Sequence, residues 1–522
     1  MKKMRLYRLL LIIFVVSISL TNWNCVKKEN KINKNKESFS LSFDSAQVET
    51  FYSKYPKLAV YKKQVVLLYQ KNRYDYIWFD KNGRRETADV FYNKINNLFE
   101  DGVIGKVPYN ETFESLFQKG SDVPDVEFDL FLSNYYFYYA NKVLRGIDKS
   151  KTNELGWYLP RKKLSYVTYL DSLLIDPKFI DKKNQHIEQY YKLKAVLKRY
   201  RAIEQKGGWD SIALPTGFVS IKPGDSSDVV SKIRTRLFLT GDIDVDSGGK
   251  FYEPSLQKAV LKYKKRNGFI LNKTILPKHV DEMNVPISSR IRTIIVNMER
   301  CRWISTDVTK AKEFIAVNIP SYRLTYFKKG KAVLTSNVVV GNMMNKTVIF
   351  SGMMSYIVFS PYWNVPKSIV EKEILPGIEK DGNYLAKHNM EWEGENIRQK
   401  PGKDNSLGLI KFLFPNNNNI YLHDSPAKEL FNAEKRAFSH GCIRVEKPKE
   451  LANLILEDDS NWTPEKIDEA MNKGEESWYT LKNKIPVYIG YFTAWVDDEG
   501  NINFYKDIYE RDKRLTAMLV EE

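Results

Sequence analysis

The hydrophobic rhythm of the chain changes twice. Between residues 46 and 215 apolar side chains recur every three or four positions. FYNKINNLFE (91–100), FDLFLSNYYFYYANKVLRG (128–146) and HIEQYYKLKAVLKRYRAIEQKGGW (186–209) therefore predict helices, the last ended by Gly207-Gly208. The Tyr and Phe run at 135–139 follows that rhythm and predicts core packing, not a sugar-stacking platform. His186 is expected on a helix surface. Residues 216–288 predict a small separate module built on KPGDSSDVVSKIRTRLFLTGDI and SLQKAVLKYKKRNGF, with Asp225 or Ser226 capping its first helix and His279 incidental. From about residue 289 the rhythm shortens to alternation. FIAVNIPSYRLTYFKKGKAVLTSNVVVG (314–341) predicts strands that turn at Lys328-Lys329-Gly330. MSYIVFSPYWNVP continues the pattern until prolines limit it. Residues 367–400 interrupt the strands, first with a helical pattern and then with polar, glycine-containing chain that carries His388 on an exposed position. KPKELANLILEDD (447–459) predicts a helix. IPVYIGYFTAWV and NINFYKDIY predict closing strands around the turn Asp497-Asp498-Glu499-Gly500. The fold class is α+β and multidomain: a helical unit, a small helical module and a mainly β domain with an insertion.

Length agrees with that division, because 522 residues exceed what one core holds. A hydrophobic content of 43% with 13% aromatics marks a folded chain. The net charge of +18 suits an anionic partner, whether nucleic acid, membrane surface or acidic polymer. No zinc-finger spacing and no phosphate-binding glycine loop supports nucleic acid. Lys2, Lys3, Arg5 and Arg8 followed by the apolar run Leu9–Leu20 read as an export signal over residues 1–24. Cys25 stands where a lipoprotein would be acylated, although Asn22-Trp23-Asn24 are not the small residues usual there. Acylation at Cys25, plain cleavage and an uncleaved membrane tether stay open; each places the body outside the cytoplasm, in the periplasm or cell envelope. Residues 25–45 read as a polar linker, lysine-rich in its first half.

Chemistry concentrates in IYLHDSPAKELFNAEKRAFSHGCIRV (420–445). It holds His423 and His440, two of five histidines, and Cys442, one of three cysteines. A thiol needs a neighbour to ionise near neutral pH, and an imidazole is suited to taking its proton. Attack on a carbonyl builds an oxyanion, for which the amides around Gly441 and Cys442 are candidate donors. Asp424 or Ser439 could orient the histidine. A buried structural cysteine beside satisfied histidines is the bland alternative. A zinc site is another, but no fourth ligand of suitable spacing is visible, so no metal or organic cofactor is expected. A bridge between Cys301 and Cys442 would silence the nucleophile.

IYLHD followed by SHGCIRV resembles the catalytic motif of the L,D-transpeptidases (YkuD type). NMERCRW (297–303), VNIPSYRL (317–324), PYWNVP (361–366), RQKPGKDNSLGLIKFLFPN (398–416) and the tail at 485–512 are similar to its large, multidomain YcbB-type branch. The resemblance implies a helical scaffold domain (46–215), a peptidoglycan-binding-like domain (216–288) and a YkuD-type catalytic domain (289–522) whose insertion at about 367–400 is a lid. The second of these departs from the family pattern at 270–279, where ILNKTILPKH replaces glycine-containing turns. By resemblance Cys442 is the nucleophile and His423 the base, its ring oriented by the Asp424 carbonyl. His440 and Gly441 shape the oxyanion hole, and Arg444 and Ser439 orient substrate. Asp424 joins them at the pocket; Tyr421 and Trp363 either line it or, the favoured reading, pack in the core, with Arg398, Asn405 and Lys411 in support. The implied activity is 3→3 cross-linking of peptidoglycan through a Cys442 acyl-enzyme with release of D-Ala. An L,D-carboxypeptidase and a non-catalytic wall-binding scaffold are the alternatives. Implied partners are donor and acceptor stem peptides and carbapenem β-lactams.

Overall fold

A computed structural model describes residues 41–120 and 123–521; the export signal, Cys25 and most of the linker lie outside the described residues. In the helical unit the most buried element is α1, Val126–Tyr139, whose N-terminus is capped by the Asp125 carboxylate on the Phe128 N–H. Leu130, Phe131, Tyr135 and Tyr136 in it have no exposed surface, as the apolar rhythm required. They centre a core that runs from Val48 to Ile180.

The helix α2, Glu188–Gln205, leaves that core and packs on the β domain's entry helix instead. Its flank holds a difference from expectation. His186 is buried, stacked near Tyr190 with ring centroids 4.1 Å apart, and its Nδ1 lies 3.1 Å from Lys162 Nζ. Burial and the Lys162 charge push its pKa well below the ordinary imidazole value. The local sequence is polar, so nothing in it signalled this packing.

The small module comprises α3 (Asp228–Thr240), α4 (Pro254–Arg266) and α5 (Pro277–Met283) around its own core. Ser227, not Asp225 or Ser226, caps α3, accepting from the Val230 N–H. His279 is also structural: it is buried and its Nδ1 accepts from the Leu276 N–H at 2.9 Å.

Helix α6, Ile287–Trp303, leads into the β domain. Its buried Glu299 accepts from the Ile147 N–H at 2.7 Å and from Trp303 Nε1 at 2.8 Å and pairs with buried Arg302, tying the helical unit to the β domain. The sheet that follows has nine strands: β1 (Glu313–Asn318), β2 (Arg323–Lys328), β3 (Lys331–Gly341), β4 (Ser351–Phe359), β5 (Ile410–Leu413), β6 (Leu422–His423), β7 (Ala437–Ser439), β8 (Ile443–Val445) and β9 (Ser477–Gly490). Their order is β7-β3-β8-β6-β5-β4-β9-β1-β2, and β2 also pairs with β3, so eight strands close on themselves with β7 hung on the far end of β3. Most neighbours are antiparallel, but β6 runs parallel to β8. Closure removes free edges, and the inward face carries Ile315, Ile357, Phe412, Leu422, Ile443 and Val487 without exposed surface.

Residues 363–399 stand apart from this core. Short helices at 367–387 and a three-stranded sheet (Trp363–Asn364, Asn396–Gln399, Met390–Glu393) enclose Val365, Ile369, Ile374, Met390 and Ile397. His388 in it is exposed beside Tyr384.

Candidate active site

Register brings the chemistry together. In the parallel pair β6–β8, Leu422 lies opposite Ile443 and His423 opposite Arg444. Side chains alternate along a strand, so Leu422 and Ile443 enter the core while Tyr421, His423, Cys442 and Arg444 share the other face. Lys411 on β5 lies opposite His423 and extends that face.

The His423 ring is buried and its Nδ1 sits 2.6 Å from the main-chain oxygen of Asp424. A carbonyl only accepts, so Nδ1 carries the proton and Nε2 keeps its lone pair. Burial, then the charge of Arg444, lowers the ring's pKa to about 3, so it is neutral at pH 7. Asp424 contributes its carbonyl; its carboxylate is buried, accepting from the Leu409 N–H at 3.0 Å and pairing with Lys428.

Cys442 is partly buried, and both it and buried Cys301 are free thiols. The Cys442 sulfur lies 3.5 Å from the Asn419 carbonyl. The Tyr421 main-chain N–H and phenol both hydrogen-bond it, and Trp363 in turn reaches the Tyr421 hydroxyl. Burial raises the thiol's pKa above its ordinary value, and the Tyr421 donors and Arg444 oppose that rise. Among the described residues no hydrogen bond joins the sulfur to the His423 ring; Tyr421 spans them, its ring centroid 5.6 Å from that of His423. The resting site thus holds a neutral thiol and a neutral imidazole.

The turn that presents the sulfur is built from below. Gly441 has φ +117°, a conformation that disfavours any side chain. Ser439 is buried; its hydroxyl donates to the Cys442 carbonyl at 2.5 Å and accepts from the Gly441 N–H at 3.2 Å. This differs from the expectation for both residues: the Ser439 hydroxyl faces the turn and not a ligand, and the Gly441 amide is engaged. The Cys442 N–H carries no hydrogen bond within the described residues. Thr347, fully buried, donates from Oγ1 to the Gly441 carbonyl at 2.8 Å and accepts from the Gly341 N–H at 2.8 Å. Tyr509 of the C-terminal tail donates to the Gly341 carbonyl at 2.6 Å and accepts from the Thr347 N–H at 3.1 Å. Sequence reasoning missed Thr347 and Tyr509, because their partners are remote in the chain.

His440 is engaged by the inserted subdomain. Its Nε2 meets Glu373 Oε1 of the inserted subdomain at 2.9 Å. Arg444 is partly buried, and its buried Nε has no hydrogen-bond partner among the described residues. Lys411 donates to the Tyr362 carbonyl and approaches Glu476, Arg398 pairs with Glu391 and Glu393, and Asn405 donates to the Pro361 and Lys400 carbonyls. All three brace the base of the insertion. Among the described residues no group of three His, Cys, Asp or Glu side chains is placed to hold a metal.

The family model of the YkuD L,D-transpeptidase catalytic domain matches residues 312–487, which span the sheet, the insertion and both motif histidines. Residues 312–487 thus match the YkuD family of L,D-transpeptidase catalytic domains. A scaffold-domain model matches residues 63–197 of the helical unit. A Haemophilus influenzae protein named as an L,D-transpeptidase is 34% identical over 222 residues, 38% of this chain and 45% of that protein, so the chain spans under half of that relative's length. Two solved L,D-transpeptidases are similar at greater distance. That of Stackebrandtia nassauensis is 15% identical, covering 53% of this chain and 97% of its own, with a TM-score of 0.21. A fragment of the Xylanimonas cellulosilytica protein is 12% identical, covering 53% of this chain and all of its own, with a TM-score of 0.18.

Proposed function

We propose that this chain cross-links peptidoglycan in the cell envelope by L,D-transpeptidation, forming 3→3 links through a Cys442 acyl-enzyme. The observation that carries the reading is the shared face of Tyr421, His423, Cys442 and Arg444, with His423 held as the Nδ1–H tautomer by the Asp424 carbonyl. Arg444 receives a carboxylate of the donor stem, for which a guanidinium offers paired donors. The Cys442 thiol leaves the Asn419 carbonyl and passes its proton to His423 Nε2. The sulfur attacks the carbonyl between stem residues three and four, and the Cys442 N–H takes the oxyanion. The Tyr421 N–H and hydroxyl steady the sulfur while it is charged. Although the isolated ring is a weak base, a thiolate beside it in the same low-dielectric site raises its affinity for the proton. Collapse breaks the C–N bond, and the histidine returns the proton to the departing D-Ala amine. A side-chain amine of a second stem then attacks the thioester and restores the thiol.

Water in place of the amine would give an L,D-carboxypeptidase; the subdomain that Glu373 ties to His440 favours the amine by covering the site. Purified protein incubated with disaccharide-tetrapeptides and analysed by mass spectrometry tests this. A cross-linked dimer formed by wild type and absent with Cys442→Ala is the expected result. Tripeptide alone would replace the reading by hydrolysis, and dimer persisting in the variant would remove Cys442 from the chemistry.

A further inference from the structure

In the small module the segment 270–279 reaches across to the chain that leads to the Cys442 turn. The Ile270 N–H donates to Glu434 Oε1 at 3.0 Å, and Lys278 Nζ pairs with Glu434 Oε2 at 2.6 Å. One carboxylate is thus held by both ends of the segment. The segment is braced for this within its own module. Buried Lys264 donates to Asn272 Oδ1 at 2.8 Å and to the Thr274 carbonyl. The Tyr252 hydroxyl donates to the Lys273 carbonyl at 2.7 Å, and Phe269 packs edge-on against His279 at 4.7 Å. The module's opposite side is fixed as well. Helix α4 packs on Ile502–Phe504, and Glu282 of α5 pairs with Arg290 of α6 at 2.7 Å.

Glu434 lies in the chain between His423 and the nucleophile turn. Just beyond it Arg436 donates to the Ala433 carbonyl at 2.8 Å and stacks over Tyr322, and β7 then delivers Ser439, which holds Gly441 and Cys442. Glu434 is therefore the point where an outside body grips the loop that feeds the turn.

We propose that Glu434 is a positioning residue: the module, through Ile270 and Lys278, acts as a strut that fixes the approach of the 433–439 segment to the Cys442 turn. This rests on Cys442 being the nucleophile.

The test uses full-length protein and carbapenem acylation followed by mass spectrometry over time, separating the encounter affinity from the acylation rate constant. Amide hydrogen exchange at 435–442 and thermal unfolding are measured alongside. Glu434→Ala is expected to lower the acylation rate constant about fivefold, leave the encounter affinity unchanged and speed exchange at 435–442. Glu434→Gln, which keeps an acceptor for the Ile270 N–H, and Lys278→Met fall between it and wild type. The exchanged pair Lys278→Glu with Glu434→Lys recovers rate relative to either single reversal. Wild-type rate and exchange in Glu434→Ala, or a double reversal no faster than the singles, would overturn the strut. An unreactive wild type would instead take away the acyl-enzyme reading, and the strut's catalytic role with it; wild type alone reveals that case.

Discussion

Thr347→Val isolates the support beneath the nucleophile. Valine fills nearly the same space, so packing is preserved while one hydroxyl is lost. That hydroxyl bonds the Gly441 carbonyl and the Gly341 N–H, both at 2.8 Å, at a position with no exposed surface. Leaving two buried backbone groups unpaired costs roughly 2–4 kcal/mol in all. Most of that falls on the turn, because Gly441 is already held at φ +117° and gains nothing by relaxing toward a side-chain-compatible conformation. A shift of the Cys442 sulfur by a fraction of an ångström is expected to slow acylation by about 10- to 100-fold. The assay is carbapenem acylation by intact-protein mass spectrometry, with a denaturant melt in parallel. Thr347→Ser, which keeps the hydroxyl, is expected to stay within about threefold of wild type, since both hydrogen bonds survive. Thr347→Val acylating at the wild-type rate would refute the reasoning, as would a serine variant as slow as the valine one.

Other consequences follow from the same structure. His423→Gln is expected to slow acylation by about 10²- to 10⁴-fold with the melt largely unchanged, read by the same mass shift; a loss below threefold would exclude the ring as base. Glu299→Ala leaves buried Arg302 uncompensated and strips the acceptor from Ile147 and Trp303, and is expected to cost about 3–5 kcal/mol in urea unfolding; a midpoint near wild type would show that α6 and the helical unit do not depend on it. Acid is expected to destabilise the fold through its buried neutral histidines. Burial lowers His423 to about 3 and His279 to about 4, below the ordinary 6.5, so the unfolded chain binds protons that the folded one does not. Their contribution is complete above pH 6.5 and is lost as pH falls toward those values. Asp129, pushed up to about 6 by burial, acts in the opposite direction. The difference between wild type and His279→Gln is therefore the readout: the variant's thermal midpoint should fall less between pH 6.5 and 5, and parallel slopes would contradict this.

The thiol in its HGC turn and the helix–module–sheet order were legible because each is carried by local chain: the SHGC run itself, alternation at 314–341, helical rhythm at 128–146. Asp424 as the carbonyl behind His423 came with the family resemblance, and the 2.6 Å contact is what the structure adds. Long-range partnerships left no local trace. Ser439 looked like a substrate contact because a hydroxyl beside a nucleophile has two uses, and only the fold shows it spent on the turn. His186 looked superficial because its neighbours in sequence are polar, while Tyr190 and Lys162 enclose it in space. The first half of β9, Ser477–Lys484, was not seen as strand: its lysines and exposed tryptophan hide the alternation that pairing with β4 imposes. Nothing in the local sequence marks Glu373 or Glu434, which the structure sets against His440 and the module.

The most direct measurement is peptide mapping by tandem mass spectrometry after brief incubation with a tetrapeptide donor and acid quench. The expected result is a tripeptidyl mass on the peptide containing Cys442, absent from Cys442→Ala and accumulating more slowly in His423→Gln. Donor turnover with an unmodified Cys442, or the acyl mass on a different side chain, would contradict it.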